Sequence, residues 1–116
     1  MKEEKFIREV VYYRRYYLDF FDSLSPEVKL KFNWTLKLIA TVDRIPVKFF
    51  NHVTSTEGIY EIRVDVKRTI YRVFCFFDDG RLIILMNGFQ KKTSKTPRKE
   101  IELAERIKKQ YNNEKY

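Results

Sequence analysis

The sequence predicts an α+β domain: an antiparallel sheet, made of a three-stranded meander plus an N-terminal strand, packed against helices. Three observations carry this prediction. Hydrophobicity alternates with a period of two over residues 60–89, two Ser/Thr-Pro pairs open apolar helical stripes, and 44% hydrophobic residues in a chain of 116 suffice for one core. The expectation is a single domain, 1–116, with no repeat, low-complexity segment or dividing linker.

The elements follow in order. "FIREVVYY", residues 6–13, mixes alternation with β-branched and aromatic residues and predicts a first strand. "RRYYLDFFDSL" then carries Tyr16, Phe20 and Phe21 on one side of a short helix. In "SPEVKLKFNWTLKLIATVD", Ser25 suits the N-cap, Pro26 the first helical position and Glu27 the positive end of the dipole. Val28, Phe32, Ile39 and Val42 recur at helical steps, so a helix runs over residues 26–42. "DRIPVKFFNHVTSTEG" contains Pro46 and Gly58 and reads as a long connection.

After Gly58 the period becomes two. "IYEIRVDV" sets Tyr60, Ile62, Val64 and Val66 on one face and Glu61, Arg63 and Asp65 on the other. "KRT" is a turn, "IYRVFCFF" a strand, "DDG" a hairpin turn and "RLIILMNGF" a third strand, apolar on both faces as an interior strand is. At the C-terminal end Thr96 precedes Pro97, and Ile101, Ala104, Ile107 and Tyr111 form the apolar stripe of a last helix. On its exposed side Glu102 and Glu105 stand four residues before Arg106 and Lys109.

Charge narrows the function classes. The net charge is +8, and it is uneven: residues 1–60 hold 10 Lys+Arg and 8 acids, net +2, whereas residues 61–116 hold 14 and 8, net +6. Polyanions are therefore the first partners to consider. Cys75 is the single cysteine and cannot form an internal disulfide, which fits a reducing cytoplasm. The charged start "MKEEKFIREVVYY" lacks an apolar signal-peptide core and no apolar run reaches membrane-spanning length, so neither export by that route nor a membrane partner is expected.

The densest charge lies in "GFQKKTSKTPRKE", where Lys91, Lys92, Lys95, Arg98 and Lys99 fall within nine residues that contain no acid. Arg98 and Lys99 lie in the first turn of the last helix, where cations are unfavourable by about 0.3–1 kcal/mol each. Local stability does not account for them. A bound phosphate does, because helix N-terminal amides and several cations together make an anion site. Arg63 admits an anion contact and a cross-strand ion pair equally. Arg72 alternates with Ile70, Phe74 and Phe76, so it is either paired inside the sheet or aimed at an anion; the second is the expectation.

Several enzyme classes fall away. His52 is the only histidine, there is no Gly-rich phosphate loop, and no Cys/His set suits zinc, so neither metal nor small-molecule cofactor is expected. RNA cleavage by attack of a 2′-OH on the adjacent phosphodiester remains feasible, since arginines neutralise the developing charge and a crowded lysine takes part in proton transfer.

The segments "GIYEIRV" and "IYRVFCFFDDGRLIILMNGFQKKTSKTPRKEIELAERIKKQY" resemble the phage-derived HigB-type branch of the RelE/ParE toxin superfamily. There an "ELR"-like strand precedes an "R-V-x-Y-F" strand and then "LLHGFxKKTxKTPxxEIxxA". The resemblance covers about half the chain. It implies a RelE-like, microbial-ribonuclease-like fold and a toxin of a type II toxin-antitoxin system that cuts mRNA on the ribosome. Its implied partners are mRNA, the ribosome and a cognate antitoxin, often a helix-turn-helix protein. By motif position Arg63, Arg72, Lys91, Lys92 and Lys95 are the catalytic or phosphate-stabilising candidates. Lys67, Arg68, Phe89, Arg98 and Lys99 are the candidate RNA contacts, with Phe89 either stacking a base or closing the core edge. "EIR" replaces "ELR", and "MNGF" replaces "LHGF", which removes any role of a histidine there. A non-enzymatic RNA- or ribosome-binding module and a ParE-like gyrase inhibitor are the alternatives.

Overall fold

The computed structural model describes residues 5–115. Its elements are β1 (Glu9–Tyr12), α1 (Tyr16–Asp22), α2 (Pro26–Thr41), β2 (Phe50–His52), β3 (Ile59–Val66), β4 (Thr69–Asp79), β5 (Leu82–Lys91) and α3 (Arg98–Lys115). The strands form one sheet in the order β1-β5-β4-β3-β2. β3, β4 and β5 make the expected antiparallel meander. The fold class is α+β.

α2 begins as its sequence dictates, whereas α1 follows Arg15 without a side-chain cap and α3 starts at Arg98, one residue past the proline expected in its first turn. The Ser25 hydroxyl accepts a hydrogen bond from the Val28 amide at 3.4 Å, with Pro26 opening α2. The Pro97 carbonyl accepts the Glu100 amide at 3.1 Å at the start of α3. The three helices divide over the two sheet faces. Tyr17 of α1 and Val28, Phe32 and Ile39 of α2 pack on Ile62, Val64, Val73, Cys75, Ile83 and Leu85. On the opposite face Ala104 and Ile107 of α3 pack on Phe74, Phe76, Ile84, Met86 and Phe89. Burial of Phe32 and Phe74, both 0% exposed, contributes about 1.5–3 kcal/mol each. Cys75 is buried at the centre of β4, and that burial raises its thiol pKa.

Gly88 is fixed by close approach. A Cβ there would lie 2.4 Å from the Phe20 ring, so only glycine lets α1 settle on β5.

Four expectations are corrected. The long connection contains a strand, β2, paired antiparallel with Tyr60–Ile62; three residues, two of them exposed, are too few to display a period. Asp78 and Asp79 continue β4 across an irregularity and the turn is Gly80–Arg81, because the Lys115 ammonium and the Tyr111 hydroxyl hold the Asp78 carboxylate against α3. The N-terminal strand pairs with β5 in parallel, so the sheet is mixed. Glu102 pairs backwards with Arg98 at 3.4 Å instead of forwards with Arg106.

Candidate functional site

The antiparallel register gathers the cations at one end of the sheet. β4 begins where β5 ends, with Ile70 opposite Lys91. The two-residue turn Lys67–Arg68, closed by the Val66–Thr69 pair, sits at that same end. Lys67 adopts φ 56°, a left-handed conformation uncommon for a residue with a Cβ. From Lys91 the chain passes through Lys92 and Lys95 to Arg98 and Lys99 in the first turn of α3. The turn Lys67–Arg68 and the start of the run Lys91–Lys99 thus lie at the same end of the sheet, with Lys67 directed toward α2 and Arg98 carried by α3 on the opposite face.

Lys92, Lys95, Arg98 and Lys99 are exposed and Lys91 is half-buried. Among the described residues no carboxylate pairs with Lys91, Lys92, Lys95, Lys99 or Arg68. Arg98 is tied only to Glu102, and Lys67 to Glu27 at 3.5 Å, both exposed pairs that contribute about 0–1 kcal/mol. Without a carboxylate partner among the described residues, like charges as close in sequence as Lys91, Lys92, Lys95 and Lys99 repel one another.

Behind them stands a row across three strands: Arg63 opposite Arg72, and Arg72 opposite Phe89. Arg72 takes the first of its two possible positions. Its side chain is 2% exposed and bracketed by Glu61, 3.1 Å from Nε, and Asp65, 3.0 Å from Nη1. Nη1 also donates to its neighbour's carbonyl, Tyr71 O, at 2.8 Å. The Nε contact is close but off-line, so Nε makes no hydrogen bond. The expectation that Arg72 aims at an anion is therefore corrected: two carboxylates already hold its guanidinium, and burial demands that they do.

Arg63 differs. Its side chain is 34% exposed, it approaches Glu61 only to 3.9 Å, and its buried Nε lacks an acceptor. The exposed part of this guanidinium, and not its buried Nε, is suited to a phosphate oxygen.

Phe89 is placed in the core. It is 7% exposed and tilts against Phe74 with ring centroids 5.2 Å apart, which corrects the stacking role and bears out the core edge.

Sequence reasoning missed the acids that organise this row. Glu61 and Asp65 were seen on Arg63's face but not as Arg72's partners. A count back from a two-residue turn gives Arg63 opposite Arg72 and hence both carboxylates beside it, so the signal was present. Asn87 was also missed: its Nδ2 donates to Glu100 O and Glu100 Oε1, each at 3.1 Å, and fastens the first turn of α3 to β5 behind the basic loop. His52 lies in β2, its ring 5.4 Å from that of Tyr60 and away from the cationic end.

The arrangement is an open, cation-rich surface backed by the sheet, a form suited to a polyanion and not to a small enclosed ligand. A family model described as "Phage derived protein Gp49-like" matches residues 19–109. No curated protein matches the sequence. The matched span holds every strand but the first, both longer helices' cores and the whole cationic end, and the chain belongs to the phage-derived Gp49-like protein family, which is a RelE/toxin-like family.

Proposed function

We propose that this protein is the toxin of a type II toxin-antitoxin system of the HigB type and acts in the cytoplasm as a metal-independent, ribosome-dependent mRNA endoribonuclease, restrained by a cognate antitoxin. The observation that carries the reading is the run of cations from Lys91 through Lys92 and Lys95 to Arg98 and Lys99, which leaves the end of β5 beside the turn Lys67–Arg68, with Arg63 on the neighbouring strand β3. Cations at this density supply what phosphodiester cleavage requires most, a field that stabilises a pentacoordinate phosphorane. Family membership supports a toxin in general. No helix among the described residues is long and apolar enough to cross a membrane.

In the proposed mechanism the RNA backbone lies across the basic end. Arg63 holds the scissile phosphate through the exposed part of its guanidinium, and Lys91, Lys92 and Lys95 hold flanking phosphates and take part in proton transfer. Arg98 and Lys99, with the amides at the start of α3, contact the chain further along. Arg72 acts through Glu61, which it keeps turned away from the phosphate.

The test is primer extension on a reporter mRNA incubated with the purified protein in a translation extract and, separately, without ribosomes. Cuts inside codons only during translation are expected. Intact RNA in both reactions overturns the nuclease reading. A second reading, a non-enzymatic RNA- or ribosome-binding module, is favoured by one observation: the most deeply placed arginine is already neutralised. It predicts stoichiometric binding with the RNA uncut, whereas DNA breaks without cleaved transcripts point to a gyrase inhibitor.

A further inference from the structure

We propose that the groove between α2 and the end of β3 is a second RNA contact, in which the Trp34 ring takes an unpaired base while Lys31 and Lys67 take the phosphates on either side. The inference rests on the RNA reading above and extends it beyond the basic end.

The groove is an open surface depression of about 540 Å³, lined by Glu27, Leu30, Lys31 and Trp34 from α2 and by Asp65, Val66 and Lys67 from the end of β3 and its turn. Trp34 is 50% exposed although it is the chain's one tryptophan, and Leu30, four residues earlier on the same helical face, is 70% exposed. Neither is needed by the core. The Lys31 ammonium lies 4.7 Å from the Trp34 ring centroid, and the Phe49 ring meets Trp34 edge-on at 5.5 Å with the Lys48 ammonium 4.9 Å from its own centroid. A large ring steadied at its edge and accompanied by cations is the pattern that binds single strands, because every base has a face to stack.

Both acids of the groove are spoken for. Asp65 pairs with Arg72 and Glu27 with Lys67, the latter in an exposed pair that a phosphate displaces at little cost. Lys31 and Lys48 have rings and no carboxylate as partners among the described residues, so both ammonium groups are open to a phosphate. Lys67 belongs to both places: it lines the groove and it forms the turn beside Lys91 and the basic loop. A strand of RNA leaving the basic end over that turn meets Trp34 next. This continuity favours RNA over a protein segment, for which Leu30 alone would argue.

Trp34 is its own reporter, since no other tryptophan contributes. The experiment titrates the full chain with a single-stranded RNA of about 12 nucleotides, following tryptophan fluorescence and, in parallel, anisotropy of the labelled RNA. Quenching is expected. Trp34→Leu should weaken binding about tenfold, Trp34→Phe should restore most of it, and Lys31→Ala should lower the salt slope by about one. Melting curves accompany each variant, and Lys31→Ala carries the test if Trp34→Leu does not fold. RNA that binds without quenching, and equally well to Trp34→Leu, overturns this inference and leaves the RNA reading standing. RNA that does not bind at all overturns this inference, while the ribosome-dependent nuclease reading falls only on intact RNA in both primer-extension reactions. Fluorescence that answers to a co-expressed antitoxin and not to RNA assigns the groove to protein docking and overturns the inference.

Discussion

Replacing Arg72 by methionine separates framework from function. Removal of one partner from a buried ion pair costs about 3–5 kcal/mol, because the remaining charge stays buried. Two features place this case at the lower limit. Glu61, at 12% side-chain exposure, keeps Arg63 at 3.9 Å, and Asp65, at 62%, regains water. The expected loss is about 3 kcal/mol, which for a domain of this size lowers Tm by roughly 10 °C. Adding Glu61→Gln removes the stranded carboxylate and should return stability to within about 1 kcal/mol of the native protein. Thermal unfolding followed by circular dichroism gives the stabilities, and growth inhibition with mRNA cleavage gives the activities. A single variant that melts within about 2 °C of the native protein refutes the buried pair. A double variant that is stable and fully toxic removes Arg72 and Glu61 from the functional set and leaves Arg63 and the lysines to carry it.

Three further outcomes are expected. Lys92→Ala should abolish or strongly reduce growth inhibition while Tm stays within about 2 °C, since the side chain is exposed and has no carboxylate partner; toxicity equal to the native protein's dismisses the basic loop. Gly88→Ala should cost about 1–3 kcal/mol in denaturant unfolding, because the new methyl meets the Phe20 ring at 2.4 Å, and unchanged stability would mean that α1 does not rest on β5. The Lys115 and Tyr111 hydrogen bonds hold the Asp78 carboxyl below its ordinary pKa. Its contribution is therefore present above about pH 4 and lost as pH falls through the depressed value, so native protein and Asp78→Asn should converge in Tm as pH falls below about 4; a gap that does not narrow on acidification contradicts the pairing.

The parts of this molecule that repeat were legible in its sequence. Alternation over residues 60–89 gave the meander, and Ser25-Pro26 and Thr96-Pro97 marked two helix starts. β2 was hidden because three residues beside Phe49 have no period to show. The parallel pairing of β1 was hidden because periodicity records which face a residue takes, never which neighbour its strand finds. The site divided along the same line. The basic loop was visible as a local run of charge, whereas the capture of Arg72 by Glu61 and Asp65 is a property of register. Phe89, one residue after an obligatory glycine, looked peripheral until Phe74 was seen beneath it.

The partnership of the first strand with the last has a consequence for the protein's synthesis. Glu9–Tyr12 leaves the ribosome early, but its parallel partner Leu82–Leu85 follows only after both longer hairpin arms. Until then β1 is an unmatched edge on a growing chain, and the sheet closes in one late, long-range event. The cations at Lys91 to Lys99 emerge later still. On the proposed reading, a nascent toxin is unarmed until the segment from Lys91 to Lys99 has followed the sheet out of the ribosome, and an antitoxin meets the active surface only after the sheet can close.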